Sequence, residues 1–344
     1  KRGRQPERQQ SNENEPQRLR DHDPRQIGRF QVEGWLGRGA FADVFLANDP
    51  VLDRKVALKV ANRAVLGDLN KRKFVLDEPK AAARLRHPNI VAIHDAGFDD
   101  AQFYIAMEYI QGKTLREQLR EGRLSLGESV KLIHSLAEAL DYAHDLPDGE
   151  ILHRDVKPEN VICDKQGNAL LLDFGLARIE HAQGAKKKEG FLGTPGYMAP
   201  EQIRAKSEAS SDQYSLGVVL YELVCGRLPF ECHPDAQVLQ TLNAEPPAPR
   251  SLNPKLPRDV EAICLKSMAK EPDERYASCG ELAEDLENYL QHPTRDRAAA
   301  RRATRRRFDT SPLPLVGCSR ASSDRRVDRA LPRRCPWRPG SQAI

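Results

Sequence analysis

The sequence predicts an α+β, bilobal fold, with a small strand-rich N-terminal lobe at about residues 27–111 and a larger helical C-terminal lobe at about residues 112–290. Two observations lead to this prediction. Apolar and polar residues alternate in short segments up to residue 109, whereas apolar residues recur at helical spacing after Gly112. The 344 residues, of which 39% are hydrophobic, suffice for one large or two medium domains with buried cores.

Five strands and one helix are expected in the N-terminal lobe. The strands follow from period-two alternation between turn signals, and they are RFQVEGWLG, ADVFLAND, RKVALKVA, NIVAIHDAGF and QFYIAMEYI. Residues 68–86 have helical composition, but Pro79 directly follows Glu78 within them. A proline inside a helix costs about 3 kcal/mol, because it lacks an N–H donor and clashes with the preceding turn. We therefore expect this helix to kink at Pro79 or to begin there.

The C-terminal lobe is expected to be mainly helical. Helical spacing of apolar residues is found in TLREQL, SLGESVKLIHSLAEALDYAHD, SSDQYSLGVVLYELVCG, RDVEAICLKSMA and CGELAEDLENYL. Two short apolar segments, VICD and ALLLDFG, interrupt this pattern and are predicted to be strands.

The two ends of the chain have a different composition. Residues 1–26 are polar and almost free of apolar side chains, and residues 291–344 are rich in Arg, Pro and Ser, with 14 arginines against four aspartates. Neither end can bury enough apolar surface to offset its ordering entropy, so both are predicted to be disordered. The positive charge of the C-terminal tail is suited to electrostatic binding of nucleic acid or of an anionic membrane surface. The favoured interpretation is that the tail is solvated and binds neither.

Several protein classes are disfavoured by the sequence. No run of about 18 apolar residues is present, so no membrane span is expected. No positively charged segment followed by an apolar one opens the chain, so no secretory signal is expected either. None of the seven cysteines forms a C-x-x-C pair, which argues against a structural zinc site and a disulfide framework. We expect a cytoplasmic protein with free thiols.

Two segments of the N-terminal lobe carry candidate binding residues. GRGAFADV, residues 37–44, lies between two predicted strands, and its glycines at 37 and 39 would let backbone amides approach a phosphate. A strand rather than a helix follows it, which argues against a dinucleotide fingerprint. Lys59 ends the apolar strand VALK and needs a partner or water, and Glu78 on the following helix is a candidate partner.

The most informative segment is HRDVKPEN, residues 153–160. Asp155 can accept a proton, Lys157 can neutralise a transferring anion, and Asn160 can ligate a hard cation through its amide oxygen. The DFG sequence that follows adds Asp173 as a second oxygen ligand. Two oxygen ligands together with nucleotide phosphates suit Mg²⁺, which rarely has an all-protein site.

This ordered series of motifs resembles that of the protein kinases. The resemblance runs through GRGAFADV, VALK, Glu78, HRDVKPEN, DFG and APE and covers about residues 30–290. KPEN and GTPGYMAPEQ are similar to the serine/threonine kinases, in particular to bacterial kinases of the eukaryotic-like type. The resemblance implies a bilobal protein kinase fold, ATP and Mg²⁺ as cofactors, and protein substrates with Ser or Thr acceptors.

The resemblance also implies a role for each matching residue. Asp155 would act as catalytic base, Lys157 would contact the γ-phosphate, and Lys59 would hold the α- and β-phosphates while pairing with Glu78. The implied metal ligands are Asn160 and Asp173. The implied ATP-binding residues, with Met107 as gatekeeper and Glu108 and Tyr109 as the start of the hinge, are Leu36, Gly37, Gly39, Val44, Ala57, Lys59, Met107, Glu108, Tyr109 and Ile162. The resemblance implies three further contacts. Glu201 would pair with Arg275, and Asp212 would brace the catalytic loop. Thr194 would contact Asp155 and Lys157.

Three departures from the family pattern support an alternative function, an ATP-binding pseudokinase scaffold. Ala42 stands where a third glycine is usual, Pro79 disturbs the placement of Glu78, and no Ser, Thr or Tyr lies between Leu176 and Gly193. The enzyme is favoured over the scaffold because no catalytic side chain is lost.

The absence of a hydroxyl in this segment raises the question of what Arg154 contacts, since the matching arginine of the family usually meets a phosphate. The segment offers Glu180 and Glu189, beside three lysines at 186–188. Contacts with another copy of the chain or with a partner protein would also favour one state of the segment. We favour a carboxylate opposite Arg154.

Treatment with a broad serine/threonine phosphatase is therefore expected to leave the rate of phosphoryl transfer unchanged relative to mock-treated protein. The reason is that residues 177–192 contain no hydroxyl that could carry a phosphate. Phosphate incorporation into a protein substrate before and after treatment measures the effect. A collapse to background would show that a phosphate elsewhere, first of all on Thr194, is required.

Overall fold

The computed structural model describes residues 16–38, 42–61, 71–99, 102–147, 149–174 and 194–292, and for residues 71–75 it describes the backbone alone. Most of the two ends that were predicted to be disordered, residues 1–15 and 293–344, lies outside the described residues. Among the helices that the structure does describe, none combines the length and the apolarity needed to span a bilayer.

In the part of the N-terminal lobe that the structure describes, six strands form one antiparallel sheet; five of them are the predicted strands, and the short strand Gln26–Ile27 was not predicted. In the order β1-β2-β3-β4-β6-β5, each strand pairs with its neighbours in the list. Their bounds are β1 (Gln26–Ile27), β2 (Phe30–Arg38), β3 (Ala42–Asp49), β4 (Arg54–Ala61), β5 (Ile93–Asp99) and β6 (Gln102–Glu108). One face of the sheet is buried in a cluster that includes Phe30, Phe45, Val56, Leu58 and Tyr104. Among the described residues of this lobe there is one helix, α1 (Lys71–Ala82), which packs against β5.

Helix α1 runs through Pro79. The expectation that the helix could begin at Pro79 is wrong, because it begins at Lys71. The fixed φ of proline is compatible with a helix, so only the missing N–H and the crowding of the preceding turn are unfavourable. Packing offsets part of this cost, since Pro79, Ala82 and Leu85 follow one another at helical spacing and are all buried. The Pro79 carbonyl still accepts a hydrogen bond from the Ala83 N–H at 2.8 Å.

Residues 16–26 differ from the prediction of a disordered segment that extends to residue 26. Gln17 and Trp35 of β2 exchange two backbone hydrogen bonds, of 2.8 and 2.9 Å. The Arg20 guanidinium lies over the Trp35 ring, 5.5 Å from its centroid. Gly34 permits this approach, because a Cβ on Gly34 would lie 2.6 Å from Pro16 Cβ. Composition alone missed the segment because backbone pairing leaves no mark on composition and because a single apolar residue, Leu19, packs against the core of the lobe.

The C-terminal lobe is mainly helical, as predicted. Its helices are α2 (Leu115–Glu121), α3 (Leu126–His144), α4 (Pro200–Ile203), α5 (Ala209–Cys225), α6 (Pro234–Asn243), α7 (Pro249–Leu252), α8 (Arg258–Ser267) and α9 (Cys279–Gln291). Helices α2 and α3 each begin with a capping box, Thr114 with Glu117 and Ser125 with Glu128. A small antiparallel sheet joins β7 (Gly112–Thr114), β8 (Val161–Asp164) and β9 (Ala169–Leu171) in that order.

Helix α5 forms the centre of this lobe. Every residue from Ser211 to Cys225 is buried, so the helix is enclosed on all sides. Helices α3 and α8 pack against it. Such a helix is rigid in position, and polar side chains on it need partners within the protein.

A buried ion pair connects α4 to the loop before α9. Arg275 and Glu201 form two parallel hydrogen bonds, each 2.8 Å long, as the family resemblance implied. The other Arg275 donors bond to the carbonyls of Ala269, Ser210 and Lys270. Burial acts to raise the pKa of Glu201, but Arg275 outweighs it and holds the pKa below its usual value. The pair is therefore fully ionised and desolvated, which makes each partner dependent on the other.

Arg275→Met is expected to lower the free energy of unfolding by about 3–5 kcal/mol, because it leaves the Glu201 carboxylate buried without its counter-charge. Urea denaturation followed by circular dichroism measures the change. The matched control is Arg227→Met, which removes the exposed pair of Arg227 with Glu231 and is expected to cost less than about 1 kcal/mol. Equal losses in both variants would contradict the importance of burial.

Candidate active site

The loop between α3 and β8 gathers the polar residues that the sequence singled out. Asp155 Oδ2 lies 2.6 Å from the Lys157 ammonium. Asp155 Oδ1 accepts hydrogen bonds from the Thr194 hydroxyl and backbone N–H, both at 3.1 Å. The Lys157 ammonium in turn donates to the Thr194 hydroxyl at 2.8 Å. The implied contacts of Thr194 with Asp155 and Lys157 are therefore confirmed, and a hydroxyl group lies between a carboxylate and an ammonium.

Asn160 is the last residue of this loop, and Asp173 follows β9. The Asn160 amide nitrogen donates to the Asp155 backbone carbonyl at 2.8 Å and to its carboxylate at 3.1 Å. Because the nitrogen is committed to Asp155, the amide oxygen remains as an acceptor for a hard cation. Asn160 is tied to β9 through its own carbonyl, which accepts from the Leu172 N–H at 2.9 Å. The donor set, one amide oxygen and one carboxylate, fits the chemistry of Mg²⁺.

Asp173 connects this site to the N-terminal lobe. Its backbone has φ of +62°, a conformation that is uncommon outside glycine and costs about 1–3 kcal/mol. Its carboxylate lies 2.9 Å from the Lys59 ammonium on β4. Both side chains are largely shielded from solvent, with 15% of Lys59 and 24% of Asp173 exposed. The structure thus brings the predicted lysine and the predicted metal ligand into contact.

Glu78 lies on α1 and contacts the loop between α3 and β8. Its Oε1 atom is 3.5 Å from Nη1 of Arg154. The implied pairing of Glu78 with Lys59 stays a prediction. The carboxylates that were expected opposite Arg154, Glu180 and Glu189, lie outside the described residues. The described carboxylate at Arg154 therefore comes from α1.

A buried carboxylate holds the backbone of the catalytic loop. Asp212 of α5 accepts hydrogen bonds from the backbone N–H groups of His153 and Arg154, each at 2.7 Å, and from the His144 ring at 2.9 Å. Burial acts to raise the pKa of Asp212, but His144 and the His153 amide outweigh it and hold the pKa below its usual value. Arg154 is held with φ of +68°. Asp212 thus braces the loop, as the family resemblance implied.

The residues predicted to bind a nucleotide lie on neighbouring strands. Gly37 of β2 pairs with Val44 of β3, and Ala57 of β4 pairs with Met107 of β6. Ala57, Met107 and Ile162 of β8 belong to one apolar cluster. Leu36 lies on β2, Glu108 ends β6 and Tyr109 follows it. Gly39 lies outside the described residues.

One group of site residues was not anticipated from the sequence. Arg116, at the start of α2, forms ion pairs with Glu159 and Glu222 and a hydrogen bond with Tyr197. These residues are far apart in the chain, and none of the local motifs connects them. A lone arginine in an otherwise amphipathic segment carries no signal of its own.

Comparison with known proteins agrees with this geometry. The family model for the protein kinase domain matches residues 30–298. The serine/threonine-protein kinase PrkC of Bacillus subtilis is 38% identical over 263 residues, which are 76% of this chain and 40% of that protein. The serine/threonine-protein kinase pkn3 of Myxococcus xanthus is 35% identical over 320 residues, 88% of this chain and 57% of that protein. The chain spans about two fifths to three fifths of the length of these relatives.

Solved structures show the same similarity. The crystal structure of the Mycobacterium tuberculosis PknI kinase domain superposes with a TM-score of 0.61 at 28% sequence identity. The match covers 76% of this chain and 97% of that one.

Asp212→Asn is expected to lower the free energy of unfolding by at least about 2 kcal/mol at pH 7, because an amide cannot accept all three hydrogen bonds. The pKa of Asp212 in the folded protein lies below its usual value of 3.8. Stability from the ionised carboxylate is therefore fully present above that pH and is lost as the pH falls through the folded pKa. The difference between the two proteins should shrink below about pH 4.

Urea denaturation at a series of pH values measures this difference. The control is Asp235→Asn, an exposed carboxylate on α6, which should show no pH-dependent difference. A wild-type advantage that stayed constant down to pH 2 would contradict the assignment of the effect to the charge of Asp212.

Proposed function

The chain belongs to the protein kinase family, and we propose that it transfers the γ-phosphoryl group of ATP to Ser or Thr hydroxyls of protein substrates. The observation that carries this proposal is the convergence of Asp155, Lys157, Asn160, Asp173 and Lys59 at one site. The similarity to proteins named serine/threonine-protein kinases supports the choice of acceptor.

Asp155 would orient the acceptor hydroxyl and take its proton. The Thr194 hydroxyl supports this role, because it already occupies the space between Asp155 Oδ1 and the Lys157 ammonium. An acceptor hydroxyl held in a similar way would face both a proton acceptor and a positive charge. Lys157 would stabilise negative charge on the group in transfer, since its ammonium lies beside the same carboxylate.

The nucleotide would be held from both lobes. Lys59 would contact the phosphates, while Gly37 and the predicted hinge residues would enclose the nucleotide from the β-sheet side. Asn160 and Asp173 would hold Mg²⁺, which neutralises phosphate charge when bound. Asp173 contacts Lys59 directly, so the lysine and the proposed metal ligand lie side by side. Catalysis would then consist mainly of positioning and charge stabilisation.

The alternative function is an ATP-binding pseudokinase scaffold. Its support is the unusual sequence of the nucleotide loop and of α1, but Lys59, Asp155, Asn160 and Asp173 are all present. We further propose a cytoplasmic location, because the activity uses ATP and because the cysteines within the described ranges, Cys163, Cys225, Cys232, Cys264 and Cys279, are free thiols. Binding of nucleic acid or membrane surfaces by the basic tail, and self-association, stay open to experiment.

Asp155→Asn is expected to lower kcat by at least about 100-fold while leaving the affinity for ATP unchanged, because this carboxylate acts on the acceptor hydroxyl. Radiolabelled phosphate transfer to a generic basic protein measures kcat, and calorimetry with a non-hydrolysable ATP analogue measures affinity. Glu33→Gln, which removes an exposed pair with Lys55, serves as the control. A large loss of nucleotide affinity in Asp155→Asn would show that its role is wrongly assigned.

Asp173→Asn is expected to abolish transfer in the presence of Mg²⁺, because it removes the charge of the proposed carboxylate ligand. The magnesium dependence of nucleotide binding should weaken in the same variant, which separates this site from that of Asp155. Near-normal turnover of Asp173→Asn with manganese excluded would disprove the metal site. Transfer by the wild-type protein distinguishes the enzyme from the pseudokinase.

A further inference from the structure

A cluster of charged side chains lies beside the catalytic loop, and Arg116 is its centre. The Arg116 guanidinium donates to Glu159 Oε1 through Nε at 2.7 Å and to Glu222 Oε1 through Nη1 at 2.6 Å. Its Nη2 donates to the Tyr197 hydroxyl at 2.5 Å and to Glu222 Oε2 at 3.4 Å. The Tyr197 hydroxyl donates to Glu222 Oε2 at 2.5 Å. One guanidinium therefore engages two carboxylates and a phenol.

The charges of this cluster do not balance. Burial, together with Glu222, raises the pKa of Tyr197, so the phenol is neutral. Burial acts to lower the pKa of Arg116, but the hydrogen bonds that it donates to Glu222 and Glu159 outweigh this effect, so the guanidinium is charged. One positive charge faces two negative charges. Glu159 is 46% exposed whereas Glu222 is 11% exposed, so the cluster meets solvent mainly at Glu159.

The cluster is close to the acceptor site along the chain. Glu159 follows Asp155 by four residues and directly precedes Asn160. Tyr197 follows Thr194 by three residues, and Thr194 contacts Asp155. Since an extended chain spans at most about 3.6 Å per residue, Glu159 lies within about 15 Å of Asp155. A substrate that presents its hydroxyl to Asp155 thus places the residues a few positions from the acceptor within reach of the cluster.

We propose that Arg116 is a specificity-determining residue, which pairs with both Glu159 and Glu222 and so withholds these carboxylates from basic side chains of the substrate. This inference rests on the proposed kinase function. The planar fork of an arginine matches carboxylates better than a mobile substrate cation does. A substrate cation therefore finds carboxylates that are already paired, and gains little from them. Removing the guanidinium would expose an acidic pair and create a preference for Lys or Arg.

The test compares wild-type protein with Arg116→Met on a set of serine peptides. Each peptide carries a single arginine, at one of the four positions before or the four positions after the acceptor serine. The measured quantity is kcat/KM for the arginine peptide divided by that for the alanine peptide. In the wild type this ratio should stay below about threefold at every position. In Arg116→Met it should rise about tenfold at one or two adjacent positions, the strength of a partly desolvated ion pair.

Two further variants identify the source of the change. Arg116→Met combined with Glu159→Gln should lose most of the new preference, because Glu159 is the accessible carboxylate. Lys113→Met is the matched control, since it removes a nearby positive charge that pairs with Glu121 outside the cluster, and it should leave the ratio unchanged. A rise that is uniform over all positions, or that also appears in Lys113→Met, would overturn the proposal, because it would reflect the overall charge.

A ratio in Arg116→Met that equals the wild-type ratio would likewise overturn the inference while leaving the kinase function intact. If neither the wild type nor the variants phosphorylate any peptide, the proposed function fails. Fluorescence anisotropy with peptides that have alanine at the acceptor position then still measures the arginine preference, as the affinity for the arginine peptide relative to that for the alanine peptide. If Arg116→Met does not fold, Arg116→Met with Glu222→Gln removes the buried charge and keeps Glu159. That variant should show a smaller rise at the same positions, and no rise would overturn the proposal.

Discussion

The site depends on one buried carboxylate, that of Asp212. Its two oxygens accept the backbone N–H groups of His153 and Arg154 from a helix that is enclosed on all sides. A side chain on an exposed element would hold these groups less firmly, whereas α5 is packed on all sides. The left-handed backbone of Arg154, which is unfavourable by itself, is stabilised by these contacts and by the Gln202 amide, which donates to the Arg154 carbonyl at 2.6 Å. Asp155 is the next residue in the chain, so these contacts also hold its backbone in place.

Helix α5 organises the other side of the site in the same way. The Ser215 hydroxyl donates to the Tyr197 carbonyl, and Glu222 accepts from the Tyr197 hydroxyl. Ser211, one turn earlier, donates to Glu201 of the buried pair with Arg275. Helix α5 thus positions both the loop between α3 and β8 and the stretch that carries Thr194. This arrangement explains how Asp155 and Thr194, which are 39 residues apart in the chain, meet at hydrogen-bond distance.

The features that were predictable from the sequence are those with a local signal. Period-two alternation located the strands of the first lobe, and the ordered motifs located Lys59, Asp155, Asn160 and Asp173, because chemistry confines these residue types to short patterns. The pairing of Gln17 with Trp35 left no such signal, since it uses backbone groups that every residue has. The cluster around Arg116 was missed for another reason. Its partners lie 43, 81 and 106 residues away, and only the fold brings them together.

The contact of Arg154 with Glu78 bears on how such a site is held without a phosphate in the segment that precedes Thr194. The backbone of Arg154 is held in place, so the ion pair of its guanidinium depends on where the partner carboxylate lies. Glu78 comes from α1 of the other lobe, and only 17% of its side chain is exposed. A contact of 3.5 Å between partly buried charges is weaker than a bidentate pair, and it depends on where α1 places Glu78. Arg154 thus links the helix of the first lobe to the loop between α3 and β8 of the second. Pro79, which costs the helix a hydrogen bond directly after Glu78, makes the position of this carboxylate depend on packing rather than on helix strength.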